Sequence, residues 1–411
     1  MHFSVLRFFT LFVSALLIAS AAPTANEPIN WASLITGSDL KLAVLPAEKD
    51  ASSAQPPPVV FYLQNLAAPR IGTDSDEAII ADLRHSGHLV VLIDYSKNSR
   101  ACVPFINRDL GKLRDDLRAG KLLPSKSFDA SRVYIVPSGH RLKRDLVFFH
   151  DDVRTLALDL IYPSGSAENP ARRTGTVLEF SCDNKDRFGN TSLSICSDTL
   201  LDGFATEGFA VAMADHPVAA PYKGLDAMPS SAWKIKAAVR TLRAETAALG
   251  LSGKIIPVGF SRGSGMALML LSTEGLAEFE GHGEHPGVSS AVQGAVILSG
   301  RFTYTDLRAD DHMIPRYDKA WGTRETALDT WRRHGALEYL GTATSPVFLS
   351  INITESPDAL HQMTVLRKRL AELGSDDTFM MDREPRGHKV PLDPAILAAM
   401  NNYLKRQLAV Q

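Results

Sequence analysis

Cysteine is scarce in this chain: Cys102, Cys182 and Cys196 are the three present. No spacing of cysteine and histidine resembles a zinc site, and no metal or cofactor is expected. Cys182 and Cys196 stand close enough in sequence to close a small loop, which leaves Cys102 over; spacing alone does not decide that geometry. An excess of one charge is also missing. Lys and Arg number 44 against 46 Asp and Glu, a formal net charge of -2. A nucleic-acid partner is therefore not expected, because its electrostatic footprint is a basic patch. Beyond the N-terminal residues no second apolar run reaches bilayer-spanning length.

The N-terminus has its own pattern. His2 and Arg7 flank a short start, residues 8–18 are almost wholly apolar, and Ala19-Ser20-Ala21-Ala22-Pro23 follows. A charged start, an apolar run too short to span comfortably, and small residues form the layout of a cleavable secretory signal. Residues 1–22 are assigned to it, with cleavage after Ala21 or Ala22; the alternative is an uncleaved anchor. The expected location is secreted or periplasmic. The mature protein is then soluble, and disulfides are permitted. Asn190-Thr191-Ser192 and Asn352-Ile353-Thr354 fit glycosylation sequons, the second on a buried strand pattern.

The apolar share of 45% and charged share of 22% are ordinary for a globular protein. A length of 411 residues allows two domains or one large decorated one. A Pro/Ala/Ser-rich stretch follows the signal, with residues 51–58 as its tip, and reads as a loop. Strand and helix patterns then alternate: strands at 59–63 and 88–94, helices at 76–85 and 108–117. The second half repeats the order, with strands at 175–180, 208–215, 254–258, 295–299, 346–351 and 378–382. Helical runs fall at 197–207, 230–247, 266–271, 360–373 and 394–408. Residues 147–163 read as antiparallel entry strands. Such alternation predicts a mostly parallel sheet covered on both faces. Residues 81–91 and 202–212 both run helix, glycine, then an apolar strand, which suggests duplication of one strand–helix–strand unit. The boundary between halves is placed near residues 137–143, giving a smaller α/β domain over 28–139 and a larger one over 140–411.

Gly259-Phe260-Ser261-Arg262-Gly263 is the sharpest motif. It follows the apolar strand Lys254-Ile255-Ile256-Pro257-Val258 and opens a Met/Ala/Leu-rich helix. A serine on a crowded strand-to-helix turn, with glycines where a β-carbon would clash, is thrust outward as a nucleophile. The helix N-terminus favours negative charge there, and the Arg262 amide is placed to help bind an oxyanion.

A serine hydroxyl needs a base within hydrogen-bond reach. In this arrangement an acid and then a histidine follow the serine in chain order. The downstream histidines are His282, His285, His312, His334, His361 and His388. His388 stands past the last strand pattern and before the terminal helix, so it is taken as the base and the others as without a role. His282-Gly283-Glu284-His285 has a metal-like look but lies in a glycine-rich loop and reads as solvated. The acid should follow the strand at 346–351, where Glu355-Ser356-Pro357-Asp358 stands. Glu355 comes first and is preferred; Asp358 is the alternative acid, and it also suits a helix N-cap.

With these pieces in place, residues from about 147 to the end resemble the α/β-hydrolase superfamily, close to its carboxylesterase, dienelactone-hydrolase-like and kynurenine-formamidase-like branch. The resemblance rests on Gly259-Phe260-Ser261-Arg262-Gly263, Leu298-Ser299-Gly300, Glu355-Ser356-Pro357-Asp358 with Gln362, and Gly387-His388. It implies a doubly wound sheet and a serine hydrolase acting through an acyl-enzyme. An acid followed by Ser-Pro in formamidase-like members supports Glu355. Where the family often carries His-Gly-Gly, this chain reads Phe180-Ser181-Cys182-Asp183-Asn184, so an amide of Cys182 or Asp183 is assigned as second oxyanion donor. The expected substrate is a small-molecule or carbohydrate-linked ester. The alternatives are an exported serine peptidase of the same fold and a non-catalytic binding protein on this scaffold.

Overall fold

The computed structural model describes residues 29–33, 39–48, 55–67, 70–96, 107–123, 127–165, 173–180, 186–188, 203–217, 228–341, 345–375, 377–391 and 393–409. The N-terminal segment 1–22, all three cysteines, Asp183 and Asn190 lie outside these residues. The fold is mixed α/β with two sheets.

The first sheet contains β1 (Ile29–Ala32), β2 (Asp39–Leu45), β3 (Pro58–Gln64), β4 (Leu89–Asp94) and β5 (Asp129–Pro137), in the order β1-β2-β4-β3-β5. β3 and β4 are runs of Val, Leu, Ile and aromatic residues, as strands covered on both faces require. β3 lies parallel to β4 and β5, while β2 runs antiparallel to β4 and β1. α1 (Asp76–His85) and α2 (Asn107–Arg118) are packed with it. α1 begins where the Ser75 hydroxyl accepts from the Ala78 amide, with Asp76 and Glu77 at its positive end and Arg84 and His85 at its negative end.

β1 and β2 fall in a stretch where the composition suggested only loop. β2 does alternate, with Leu40 and Leu42 buried between exposed Asp39 and Lys41, but it is short and its neighbours are rich in Pro, Ala and Ser. Trp31 on β1 is held by an ionic knot whose carboxylate is buried and whose lysines reach solvent. Its indole Nε1 donates to Asp116 of α2 at 3.1 Å, and Lys112 and Lys121 reach the same carboxylate at 2.7 and 2.9 Å. The Lys112 ammonium, aided by Lys121 and the indole, outweighs burial and holds the Asp116 carboxyl down at about 2. Its folded pKa is depressed, so its contribution is present above 3.8 and is lost as the pH falls towards 2. Asp116→Asn should therefore lower stability by about 1 kcal/mol at neutral pH, a figure reduced because the lysines are solvated. Denaturant melts should show that deficit closing between the two pH values; a deficit independent of pH would refute the account.

The second sheet contains β6 (His140–His150), β7 (Thr155–Pro163), β8 (Thr176–Phe180), β9 (Ala210–Ala214), β10 (Ile255–Phe260), β11 (Ala295–Leu298), β12 (Val347–Asn352) and β13 (Asp377–Asp382). Their order is β13-β12-β11-β10-β8-β9-β7-β6; β13 to β9 are parallel, and β7 and β6 are antiparallel. Only Ser138 and Gly139 separate β5 from β6. The first sheet repeats the connectivity of the first five strands of the second: β4-β3-β5 behind antiparallel β2 and β1 matches β9-β8-β10 behind antiparallel β7 and β6. The likeness thus extends beyond one strand–helix–strand unit.

Alternate residues of the large sheet enter two cores. Leu178, Ala212, Ile255, Ile297 and Leu349 pack with α3 (Ser230–Leu249), α4 (Arg262–Ser272) and α8 (Pro357–Leu373). Val177, Val211, Val258, Leu298 and Phe348 pack on the other side with α9 (Pro394–Leu408) and with Phe204 and Ala205 of the helical turn at 203–206. Each fully buried aliphatic side chain contributes about 1.5–3 kcal/mol relative to exposure. Between β11 and β12 the chain leaves the sheet and forms α6 (Ile314–Trp321) and α7 (Arg324–His334), after a short α5 (Ala277–Glu280) that precedes β11. Neither α6 nor α7 was singled out by periodicity. Tyr317 and Trp331 are buried in a small aromatic core of their own, so these helices pack against one another.

Candidate active site

Three parallel strands, β10, β11 and β12, deliver their carboxyl ends to one edge, and the loop after β13 arrives beside them. β10 runs to Phe260, two residues beyond the apolar run that marks it in sequence. The chain then turns into α4 through Ser261 alone. Ser261 sits at φ 55, ψ -118, a backbone region that costs a non-glycine residue free energy. A β-carbon at Gly259 would lie 2.2 Å from the Gly263 carbonyl carbon and 2.4 Å from the Ser264 nitrogen, so only glycine permits the bend. The Ser264 hydroxyl pins it, donating to the Gly259 carbonyl at 2.7 Å and accepting from the Leu298 amide at 3.1 Å.

Ser261 precedes the first helical residue, yet its hydroxyl makes no capping bond to α4. It lies 2.9 Å from His388 Nε2. His388 Nδ1 lies 2.7 Å from Glu355 Oε2. An Nδ1–H donating to the carboxylate leaves Nε2 as acceptor for the serine proton. Glu355 is 2% exposed at its side chain. Its Oε2 also accepts from the Ser299 hydroxyl at 3.0 Å, and its Oε1 from the Ser356 amide at 2.8 Å. Burial pushes this carboxyl up, but the His388, Ser356 and Ser299 donors together outweigh burial and hold it below its ordinary value.

The histidine loop is tied to the end of β12. Asn352 Nδ2 donates to the Glu384 carbonyl at 2.6 Å, and its Oδ1 accepts from the Arg386 amide at 3.3 Å. The Gly387 amide donates to Thr354 Oγ1 at 3.0 Å. The ring of Phe260 lies 4.6 Å from the imidazole. Asn352 is 3% exposed, so the sequon that begins there is built into the sheet.

Asp358 is elsewhere. It lies in the first turn of α8, 3.6 Å from Arg301, 3.4 Å from Arg308 and 3.3 Å from His312. The N-cap is Ser356, whose hydroxyl accepts from the Ala359 amide at 3.2 Å, and not Asp358. Pro357 sets the helix start one turn earlier than the apolar spacing suggests. Arg262 is the first residue of α4, where amides have no intrahelical acceptor. Cys182 and Asp183 lie outside the described residues.

Among the described residues, one group has metal-ligand spacing: Asp311, His312 and Asp358. Its carboxylates already carry guanidinium partners, with Arg301 Nη2 2.9 Å from Asp311 Oδ1. His282, Glu284 and His285 are exposed. His312 and His334, given no role from sequence, line a cavity of about 430 Å³ that contains Ser261, Glu355 and His388. Its walls include Met266, Met269, Tyr304 and Trp321, and Trp321 is stacked between Tyr317 (4.7 Å) and His334 (4.0 Å). These wall residues are what sequence reasoning missed, and Ser299, quoted in the Leu298-Ser299-Gly300 piece, was given no role. The signal available was the length of the connection from residue 299 to 346, unusual for a strand-to-strand link.

A strained serine, an imidazole and a buried carboxylate in hydrogen-bonded series, opening on an apolar cavity, can abstract a hydroxyl proton and attack an electrophilic carbon. No protein-family model matches the chain, and no curated protein sequence matches it. Solved structures do. A truncated carbohydrate esterase from gut microbiota is similar at 16% identity with a TM-score of 0.54, covering 65% of this chain and 95% of its own. A bifunctional GH43-CE protein of Bacteroides eggerthii is similar at 19% identity with a TM-score of 0.53, covering 65% of this chain and 38% of that one. The butyrate-bound thermophilic esterase Est2 of the planctomycete Thermogutta terrifontis is similar at 17% identity with a TM-score of 0.51, covering 66% of this chain and 96% of that one. At these identities the likeness is one of fold: the chain shares an esterase-like fold.

Proposed function

We propose that this chain is an exported carboxylic ester hydrolase of the α/β-hydrolase type, with Ser261 as nucleophile, His388 as general base and Glu355 as the orienting acid. One observation carries the reading: the Ser261 Oγ–His388 Nε2 approach of 2.9 Å, with Glu355 on the far nitrogen at 2.7 Å. Ser261 attacks the ester carbonyl while His388 takes its proton; the Arg262 amide and one from Cys182 or Asp183 hold the oxyanion. His388 then protonates the leaving alcohol, and an acyl-enzyme remains. Water attacks that ester with His388 again as base, and the freed acid leaves. Glu355 keeps the imidazole in its working tautomer and balances its charge when protonated. The secretory pattern of residues 1–22 supports export. Residues 28–139 form a separate α/β module before the catalytic one over 140–411, and acyl esters of carbohydrates are the substrate class favoured by location and by the fold neighbours. Ester hydrolysis is preferred to peptide cleavage because those neighbours are named as esterases.

A fluorophosphonate probe should form one stoichiometric adduct, and mass spectrometry of a tryptic digest should place it on the peptide 255–262. The same protein should turn over 4-nitrophenyl acetate and leave casein intact. An adduct on another residue, or none on folded protein, sinks the reading.

A further inference from the structure

Among the described residues, charge around the cavity is one-sided. Arg262, Arg301 and Arg316 line it, and Glu355 is the one carboxylate among the described lining residues. That carboxylate is consumed by His388, Ser299 and Ser356. The arginines differ in how they are held. Arg301 is engaged by Asp311 at 2.9 Å and lies 3.6 Å from Asp358. The other arginines of this insertion are also occupied: Arg308 on Asp310 at 2.8 Å, Arg332 on Asp329 at 3.5 Å, Arg333 on Glu278 at 3.1 Å, and Arg324 over the Trp331 ring. The Arg316 guanidinium has no hydrogen bond or ion pair among the described residues. It also stands in the first turn of α6, a turn without an acidic residue, Asp318 coming after it. A cation there opposes the helix dipole and gains nothing from the helix itself. Two like-signed fields thus meet at the cavity rim, the helix N-terminus and an uncompensated guanidinium, above apolar walls of methionine and aromatic side chains.

We infer that the cavity takes an ester bearing a carboxylate away from its scissile carbonyl, with Arg316 as the residue that binds the carboxylate. The inference rests on the ester-hydrolase reading and narrows its substrate class. The apolar body of the substrate lies against the Met266, Met269 and Tyr304 walls. Its remote carboxylate meets the planar guanidinium in a charge-assisted, two-pronged contact. The positive rim also raises the local concentration of anionic substrate. Arg316 is exposed, so salt screens its effect. It touches the remote anion and not the reacting carbon, so its effect lies in KM more than in kcat.

The test uses ester pairs of equal shape that differ only in charge. 4-Acetoxybenzoate against 4-acetoxybenzamide places the charge on the alcohol side; monoethyl adipate against its ethyl adipamate analogue places it on the acyl side. Wild type at low salt should prefer the anion in at least one pair by about tenfold in kcat/KM, mostly through KM. Arg316→Gln should bring that ratio close to one, Arg316→Lys should restore part of it, and 0.5 M salt should erase it in wild type. The neutral ester, assayed on the same preparation, is the internal standard for folding and for the catalytic machinery. An anion-to-neutral ratio that is the same in wild type and Arg316→Gln overturns the inference while leaving the ester reading intact. Failure to hydrolyse any of the four esters overturns the ester reading, and the inference with it.

Discussion

Ser261→Ala should lower kcat/KM for 4-nitrophenyl acetate by about 10⁴- to 10⁶-fold, and Glu355→Gln should lower it by about 10³- to 10⁴-fold. In the proposed mechanism the serine variant removes the atom that forms the acyl-enzyme. The glutamine variant keeps shape but presents a neutral amide to His388 Nδ1. The imidazole then loses the charge that favours its protonated form, and its tautomer is no longer fixed. Asp358→Asn is the contrast: it should change kcat/KM only a few-fold, because Asp358 faces Arg301, Arg308 and His312 and not the His388 ring. Steady-state kinetics of the three variants, with circular dichroism to show native folding, check the ranking. Equal losses in Glu355→Gln and Asp358→Asn would refute the assignment of the acid. The pH dependence has a fixed sign. The Glu355 carboxyl lies below its ordinary value of 4.5 in the folded protein, so its contribution to stability is present above that pH and is lost as pH falls through the folded value. Glu355→Gln should flatten that acid limb.

The relation between sequence and site explains which parts were readable. Ser261 was visible because its surroundings are local: a strand, two glycines and a helix within a dozen residues, each required by sterics at the bend. His388 and Glu355 were visible because each follows a strand, and parallel strands deliver their following loops to one edge of the sheet. The preference for Glu355 over Asp358 rested on chain order, on an acid followed by Ser-Pro, and on an N-cap role for Asp358 that Ser356 fills instead; the structure adds another cause: Pro357 starts α8 at once, which turns Asp358 away, while the Ser299 hydroxyl at the end of β11 reaches Glu355. Arg316 and the aromatic wall were not readable. They reach the candidate site only because the described residues between β11 and β12 fold back over the edge, a long-range event with no local pattern. β2 was hidden for a different reason: its alternation covers only Asp39 to Leu42 of a seven-residue strand that precedes a Pro-rich run, so composition overrode period.

Arg187→Met should destabilise the protein by about 3–5 kcal/mol at neutral pH, the usual cost of removing one partner from a buried ionic cluster. Arg187 Nη2 lies 2.5 Å from Asp145 on β6, its Nε 2.6 Å from Asp159 on β7, and its Nη1 3.0 Å from Asp215 just after β9. One guanidinium therefore joins the three strands at the outer side of the large sheet. Its neighbour Phe188 packs edge-on against Tyr134 of β5 at 5.3 Å, so the same short segment also touches the small sheet. Burial pushes the Asp159 carboxyl up to about 6 even though Arg187 pulls it down, and burial likewise raises Asp215. Methionine preserves apolar volume but leaves these carboxylates without their common cation. Protonation then becomes the cheaper state. A raised folded pKa means that the folded protein gains protons before the unfolded chain does, so its stability contribution grows as the pH falls through about 6 towards 3.8. The deficit of Arg187→Met should accordingly be largest at pH 7 to 8 and shrink by pH 5, as read from urea melts across that range. A deficit that stays constant with pH would mean that lost packing, and not uncompensated charge, sets the cost. A loss below 1 kcal/mol would mean that the three carboxylates are solvated, and that Arg187 does not join the strands.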